Sequence, residues 1–404
     1  MKNKYIHIYT IRNILLITVL LPLIHGCELK QKDYVKGEEF IKIYNDSETA
    51  KKYYPSGVMQ TSDNGYIVVS GIKYDTAETE FPNTSVFKAD EYGKLEWSNE
   101  SQWFAPVNKI YSAGNKTGFI AMDGGLEGSL AIIDPESGEI TDVYGLGLTM
   151  PLAFYSDDEQ LVVLGYNYIS RSSIIKIYNT STLQQLNSIE LTVNSDVRNL
   201  IQRHLNKSGE MFPFFIGKWE QGNNKGYYVN CFANYTLRVV FLNESGSLTG
   251  GDIYSFQTES AISSLINKDE NTYALTRYYK GENYINTDIE VNTSSSQNFN
   301  EYTGSPLYEL VTNAPVTVNR RITGNDSTMI FTSHTNENSV QFYQFTINTP
   351  ELVNSFDISF NQKVELCDAI ITSDNGMIAL ARVFVTGKFP RPVLVKVPPM
   401  NFKQ

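Results

Sequence analysis

The amino-acid sequence predicts an all-β fold: a seven-bladed β-propeller of four-stranded antiparallel blades, with the ring closed by the N-terminal strand in the last blade. Three observations lead there. Thr61-Ser62-Asp63-Asn64-Gly65 is written again as Thr372-Ser373-Asp374-Asn375-Gly376, near the other end of the chain. Apolar runs of strand length recur between Asx- and Gly-rich corners at intervals of about 40 to 60 residues, close to the period of propeller blades. The last repeat lacks its fourth strand, while an isolated strand pattern stands near the N-terminus.

Composition fits a globular β chain. Of 404 residues, 41% are hydrophobic and 19% charged, with 26 Tyr and 21 Phe. That is enough apolar surface for a core, and the aromatic excess favours strands. The formal charge is −11, and removing Lys2, Lys4 and Arg12 with a cleaved leader takes it to −14. An acidic body repels nucleic acid and anionic lipid headgroups, so nucleic acid is not an expected partner.

Residues 1–26 read as an export signal, with basic Lys2, Lys4 and Arg12 before an apolar stretch from Ile14 to Ile24 that is short for a membrane span. Ile24-His25-Gly26-Cys27 resembles the lipobox of bacterial lipoproteins. The resemblance implies lipidation at Cys27 and a membrane anchor that does not cross the bilayer. A plain secretory leader cut near Gly26 is the competing reading. Residues 27–38 read as a polar tether, and 39–404 as a single propeller domain.

Glu39 to Asn45 has strand character, with Phe40, Lys42 and Tyr44 alternating against Ile41 and Ile43. From there two kinds of corner can be followed. Corners between first and second strands are expected at Ser62–Gly65, Gly114–Gly118, Ser156–Glu159, Asn206–Gly209, Asn267–Asn271, Gly324–Ser327 and Ser373–Gly376. Asn-Gly between β-rich runs is the strongest local hairpin signal, because both residues tolerate positive φ. Corners between third and fourth strands are expected at Asp90, Asp134, Asn179, Asn243, Asn292 and Asn348, where Asx chemistry suits a turn. The seventh unit has no such corner, so the strand at 39–45 is expected to complete it and leave no exposed edge. The unit around Ala261 to Leu310 is the weakest, and six or eight blades are the alternatives. Cys231 and Cys367 fall in units four and seven and are expected as unpaired, buried thiols.

The repeated Thr-Ser-Asp-Asn-Gly motif resembles the Asp box of sialidases, without its final aromatic; in that family the box is a structural corner. Ile132-Ile133-Asp134-Pro135-Glu136-Ser137-Gly138-Glu139 resembles a turn of quinoprotein dehydrogenase propellers. The family's docking tryptophans are absent from most units, so the resemblance implies the fold and no quinone cofactor.

No catalytic signature is present. Behind the leader only His204 and His334 remain, neither in a metal-binding or triad spacing, and no metal or cofactor is expected. In a meander the tight corners lie on one rim and the longer connections on the other, where loops position binding groups. The aromatic-rich connections nominate Trp103, Trp219, Arg277, Tyr278 and Tyr284 as ligand contacts. Aromatic faces among Asn and Arg suit a sugar ring; the plainer reading is that they pack their own loops. Leader and ring together resemble propeller lipoproteins that Gram-negative bacteria place beside nutrient-uptake systems. The expectation is therefore a non-enzymatic binding or assembly module of the cell envelope, anchored in the outer membrane, for a glycan or an envelope protein. The alternatives are a polysaccharide hydrolase or lyase, with Arg203 and His204 on an inner strand at the funnel, and a purely structural lipoprotein.

Overall fold

The computed structural model describes residues 38–44, 51–75, 80–209, 211–255, 260–324, 326–349, 351–385, 387 and 389–403. All belong to one compact unit, Gly37–Gln404. The leader, Cys27 and the tether before Glu38 lie outside the described residues.

The chain is a β-propeller. Its described strands form consecutive four-stranded antiparallel meanders over residues 51–104, 111–149, 151–192, 215–254, 260–306, 317–359 and 364–397, the last completed by Phe40–Ile43. The first two share one hydrogen-bonded sheet through a single pair, Phe104 with Met122. From the second meander to the seventh, each first strand lies against the first strand of the next, and the seventh lies against the first. The first strands therefore ring the axis.

Position in the blade explains each strand's pattern. Second strands are covered on both faces by neighbouring blades, and Tyr66–Val69 and Met377–Ala381 are continuously buried apolar runs. Outer strands such as Leu95–Phe104 and Leu352–Ser359 alternate between half-buried and exposed residues.

Closure occurs as the sequence predicts. Phe40–Ile43 pairs antiparallel with Arg391–Val397 as the outermost strand of the last sheet. Phe40 and Tyr44 are buried, the Phe40 ring packs near the backbone of Gly93, and the Tyr44 hydroxyl donates to the Gly93 carbonyl at 2.9 Å. The two Thr-Ser-Asp-Asn-Gly corners meet: Ser373 donates its N–H to Gln60 at 2.7 Å and its hydroxyl to Asn64 at 3.1 Å.

The corners share one internal design. Asp63 accepts from the Thr61 hydroxyl and the Gly65 N–H, and Asp374 accepts from the Thr372 hydroxyl and the Gly376 N–H. A buried lysine from the third strand completes each, Lys88 at 2.6 Å and Lys396 at 2.8 Å. Only the Asn takes positive φ, 66° at Asn64 and 62° at Asn375. The glycines are needed for a different reason than the expected one. A Cβ at Gly65 would stand 2.6 Å from the Ala89 carbonyl oxygen, and one at Gly376 would stand 2.4 Å from that of Val397.

One expected corner fails, in the fourth unit. Asn206–Gly209 is not a hairpin corner; it follows a helix, Arg198–Leu205, in the connection from the third meander. The hairpin turn is Gly222-Asn223, between Phe215–Gln221 and Asn224–Ala233. The fifth meander is irregular beyond Asn292. Ser296–Asn298 leaves it and pairs in parallel with Leu248–Tyr254 of the fourth, and a two-residue strand, Ser305–Pro306, returns as the fourth strand.

Candidate functional site

The loop-rich rim carries the ends of the second and fourth strands, and the fifth meander's hairpin at Lys280-Gly281 belongs to it. Strands Thr272–Tyr279 and Glu282–Glu290 place Arg277 opposite Tyr284, and Tyr278 opposite Asn283. Side chains alternate along a strand, so Arg277 and Tyr279 share one face while Tyr278 takes the other. The Arg277 guanidinium is 4.6 Å from the Phe299 ring centroid, 5.2 Å from Tyr284 and 5.8 Å from Tyr279. It is 6% exposed, and its buried Nε has no acceptor. No salt bridge to Arg277 exists among the described residues. Burial pulls its pKa down, with Tyr284 and Tyr279 opposing.

A shallow cleft of about 10 Å³, room for a single water, opens at the same junction, between the fourth and fifth meanders. Arg238, Asn230, Tyr254, Ile262 and Phe299 are among its walls. Ile262 is the cross-strand partner of Arg277, and Phe299 lies under its guanidinium. Arg238 is paired with Asp252, yet Arg238 Nε and Asp252 Oδ1 have no partner among the described residues.

The nominated residues thus divide. Arg277, Tyr278 and Tyr284 are brought together on one hairpin, although Tyr278 is buried. Trp103 ends the first meander on the same rim and is half-buried against the apolar cluster around Ile67, Ile110 and Phe119. Trp219 is a correction. It lies near the Gly222-Asn223 corner on the opposite rim and is 3% exposed. Its indole N–H donates to the carbonyls of Tyr227 at 3.2 Å and Leu242 at 3.0 Å, so it is core. Sequence reasoning missed Phe299, which sits in a short 3-10 turn without periodicity, and Arg238. It also missed the exposed Ile169, Tyr235 and Tyr308, all in connections of the loop-rich rim.

The channel mouth on this rim is not the inner-strand funnel expected. Arg203 and His204 stand on the helix, whose Ile201 and Leu205 join the main apolar cluster. His204 is buried, accepts the Phe212 N–H on Nδ1 at 3.0 Å, and is driven well below its ordinary pKa by burial and by Lys207. Lys207, just past the helix, is lowered to about 8 by burial and by Arg382 of the seventh meander, with the Cys367 thiol opposing. His334 accepts the Leu366 N–H at 3.2 Å and is lowered to about 4, chiefly by burial.

Neither remaining cysteine forms a disulfide: Cys231 is buried, Cys367 is half-buried, and burial pushes both thiols up to about 12. Among the described residues no group of three or more His, Cys, Asp and Glu side chains is arranged to hold a metal ion. No described helix is long and apolar enough to cross a membrane.

No known protein family and no curated protein matches the chain. Solved structures do. A chain of the mitotic checkpoint complex is similar at 10% identity and a TM-score of 0.50, covering 92% of this chain and 95% of that one. The β-propeller domain of the Trilobed protease from Pyrococcus furiosus is similar at 9% identity and a TM-score of 0.45, over 86% of this chain and 94% of that one. The Dos1 propeller is similar at 11% identity and a TM-score of 0.42, over 85% and 77%. At these identities the likeness concerns the fold.

Proposed function

We propose that this chain is a seven-bladed, lipid-anchored propeller of the bacterial cell envelope, held at the outer membrane through Cys27. Its loop-rich rim serves as a non-enzymatic platform for a glycan or an envelope protein. The observation that carries the reading is the exposure of large apolar side chains on the longer connections. Ile169, Tyr235 and Tyr308 are 79%, 67% and 72% exposed on connections of the loop-rich rim. Large apolar side chains held in water by a rigid scaffold mark an interaction surface more often than a random surface does. Hydrolysis or lysis at the funnel draws less support, since the two buried histidines each use Nδ1 to hold a backbone N–H and stay neutral.

Two experiments test this. Metabolic labelling with an alkyne fatty acid should tag the wild type and not Cys27→Ala; an unlabelled wild type removes the anchor from the reading. Crosslinking in intact cells, with a photoreactive residue at 169 or 235, should trap a defined partner or glycan, whereas the same residue at Ile322 on the opposite rim should not. Equal trapping from both rims rejects the platform.

A further inference from the structure

The closing strand enters the last sheet from one particular rim. Phe40 pairs with Lys396 and Ile43 with Val393, so the strand runs from the rim of tight corners toward the loop-rich rim. The Phe40 ring lies against Gly93, in the tight corner between the third and fourth strands of the first meander. The chain therefore joins the ring on the corner side. That rim repeats one feature. Leu95, Ile140, Leu248 and Leu352 stand where a fourth strand leaves its corner, opposite Ala89, Ile133, Leu242 and Phe345 at or next to the end of the third strand. Leu186 is the second residue of the fourth strand in the third meander. These five are 36–54% exposed. Aliphatic side chains scattered singly over a surface need no account, but recurrence at one register around a rim does. Ile169, Tyr235 and Tyr308 are exposed on the other rim, so the place where the chain joins tells the two apart.

We propose that the rim of tight corners seats on the lipid surface that holds the anchor, its aliphatic tips among the headgroups, and that the loop-rich rim faces away from it. This rests on the Cys27 anchor in the reading above and gives the platform its direction. Lengths favour this orientation over the reverse. A coil as long as 27–38 spans about 20 Å on average. A second strand such as Tyr66–Tyr74 is about 30 Å long, so an anchor beneath the loop-rich rim would need the connector drawn out toward its limit of about 40 Å. Seating the corner rim leaves it slack. Charge selects the lipid. Glu136 and Glu139, Asp158 and Glu159, and Asp269 and Glu270 are exposed at the same corners, so anionic headgroups repel this rim and zwitterionic ones accept it.

The test holds the mature chain on vesicles through an N-terminal histidine tag and a nickel-chelating lipid, which makes it independent of acylation in cells. An environment-sensitive fluorescent amino acid is placed at 186, 248 or 352, and in parallel at 169, 235 or 308, with nitroxide-bearing lipids as quenchers. On phosphatidylcholine vesicles the corner-rim probes should be quenched at least about twofold more than the loop-rim probes. Adding phosphatidylserine should reduce that difference. Combined Leu186→Ser, Leu248→Ser and Leu352→Ser should lower the quenching of a probe at 95, with thermal melting to show that the variant is folded; should it not fold, the wild-type contrast between rims decides alone. Equal quenching on both rims, or stronger quenching on the loop-rich rim, overturns the orientation. Quenching at neither rim overturns it too, since the body then swings free of the bilayer. An unlabelled wild type in the fatty-acid experiment is a different failure: it removes the anchor, whatever the vesicles show.

Discussion

The seam where the ring closes and the junction between the fourth and fifth meanders solve the same packing problem in opposite ways. At the seam the buried cations are partnered. Two identical corners abut, each Asp holds its own loop and a buried lysine, and the Arg391 guanidinium donates to the Lys51 carbonyl. At the other junction a strand is lent to the neighbour, the returning strand is two residues long, and Arg238, Asp252, Arg277 and Asn283 each keep a buried polar atom without a partner. Regularity serves stability at the seam. Buried polar groups left unmatched are instead what a ligand can satisfy.

Breaking the seam should have the largest effect. Phe40→Ala empties a contact between Tyr66 and Gly93 and should cost about 3 kcal/mol in urea unfolding. A loss below about 1 kcal/mol would mean that the strand adds little to closure.

A second test uses pH. Asp368, on the first strand of the seventh meander, accepts the Val58 N–H across the seam at 3.1 Å. Burial raises it to about 6, against the opposing hydrogen bond from Val58 and the Lys109 charge. Folded protein therefore binds this proton more tightly than unfolded chain, so its contribution to stability rises as pH falls from about 6 toward 4. His334, lowered to about 4, works in reverse: its stabilisation is full above its ordinary pKa near 6.5 and is lost as pH falls toward 4. Each amounts to roughly 3 kcal/mol at most. Asp368→Asn should thus make the loss of stability between pH 6.5 and 4 steeper; an unchanged slope would refute the assignment.

Asp374→Ala should cost about 2 kcal/mol, because Lys396 would stay buried without its carboxylate. The matching change at Asp63 should cost less, since Lys88 keeps Glu96 at 3.2 Å and Glu136 at 3.7 Å. Melting curves of the two variants rank the corners. Smallest of all, Tyr235→Ser on the loop-rich rim should change stability by no more than about 0.5 kcal/mol, with any effect confined to partner trapping.

Much of the ring was legible because its punctuation is local. An Asx residue or an Asn-Gly pair bends the chain through its own side chain and backbone, so six of the seven first corners and the closing strand could be read from a few residues at a time. Asn206–Gly209 misled because the same residue types that turn a hairpin also end a helix. Arg203 and His204 were assigned to the wrong element for that reason. Trp219 failed differently: a carbonyl from the neighbouring third strand, Leu242, takes up its indole N–H, and that partner is distant in sequence. Arg277 and Tyr284 could be nominated because a two-residue turn puts them across from each other. Phe299 could not, because the ring reaches them only through the irregular return of the fifth meander.

Closure also orders events in time. Among the strands of the ring, Phe40–Ile43 leaves the ribosome first and its partner Arg391–Val397 last, so the earliest-made piece waits for the final one. Through that interval both ends of the assembling fold present raw β edges. A nascent or C-terminally clipped molecule would then be an open spiral able to accept the waiting strand of another copy, and not merely a smaller version of the finished one.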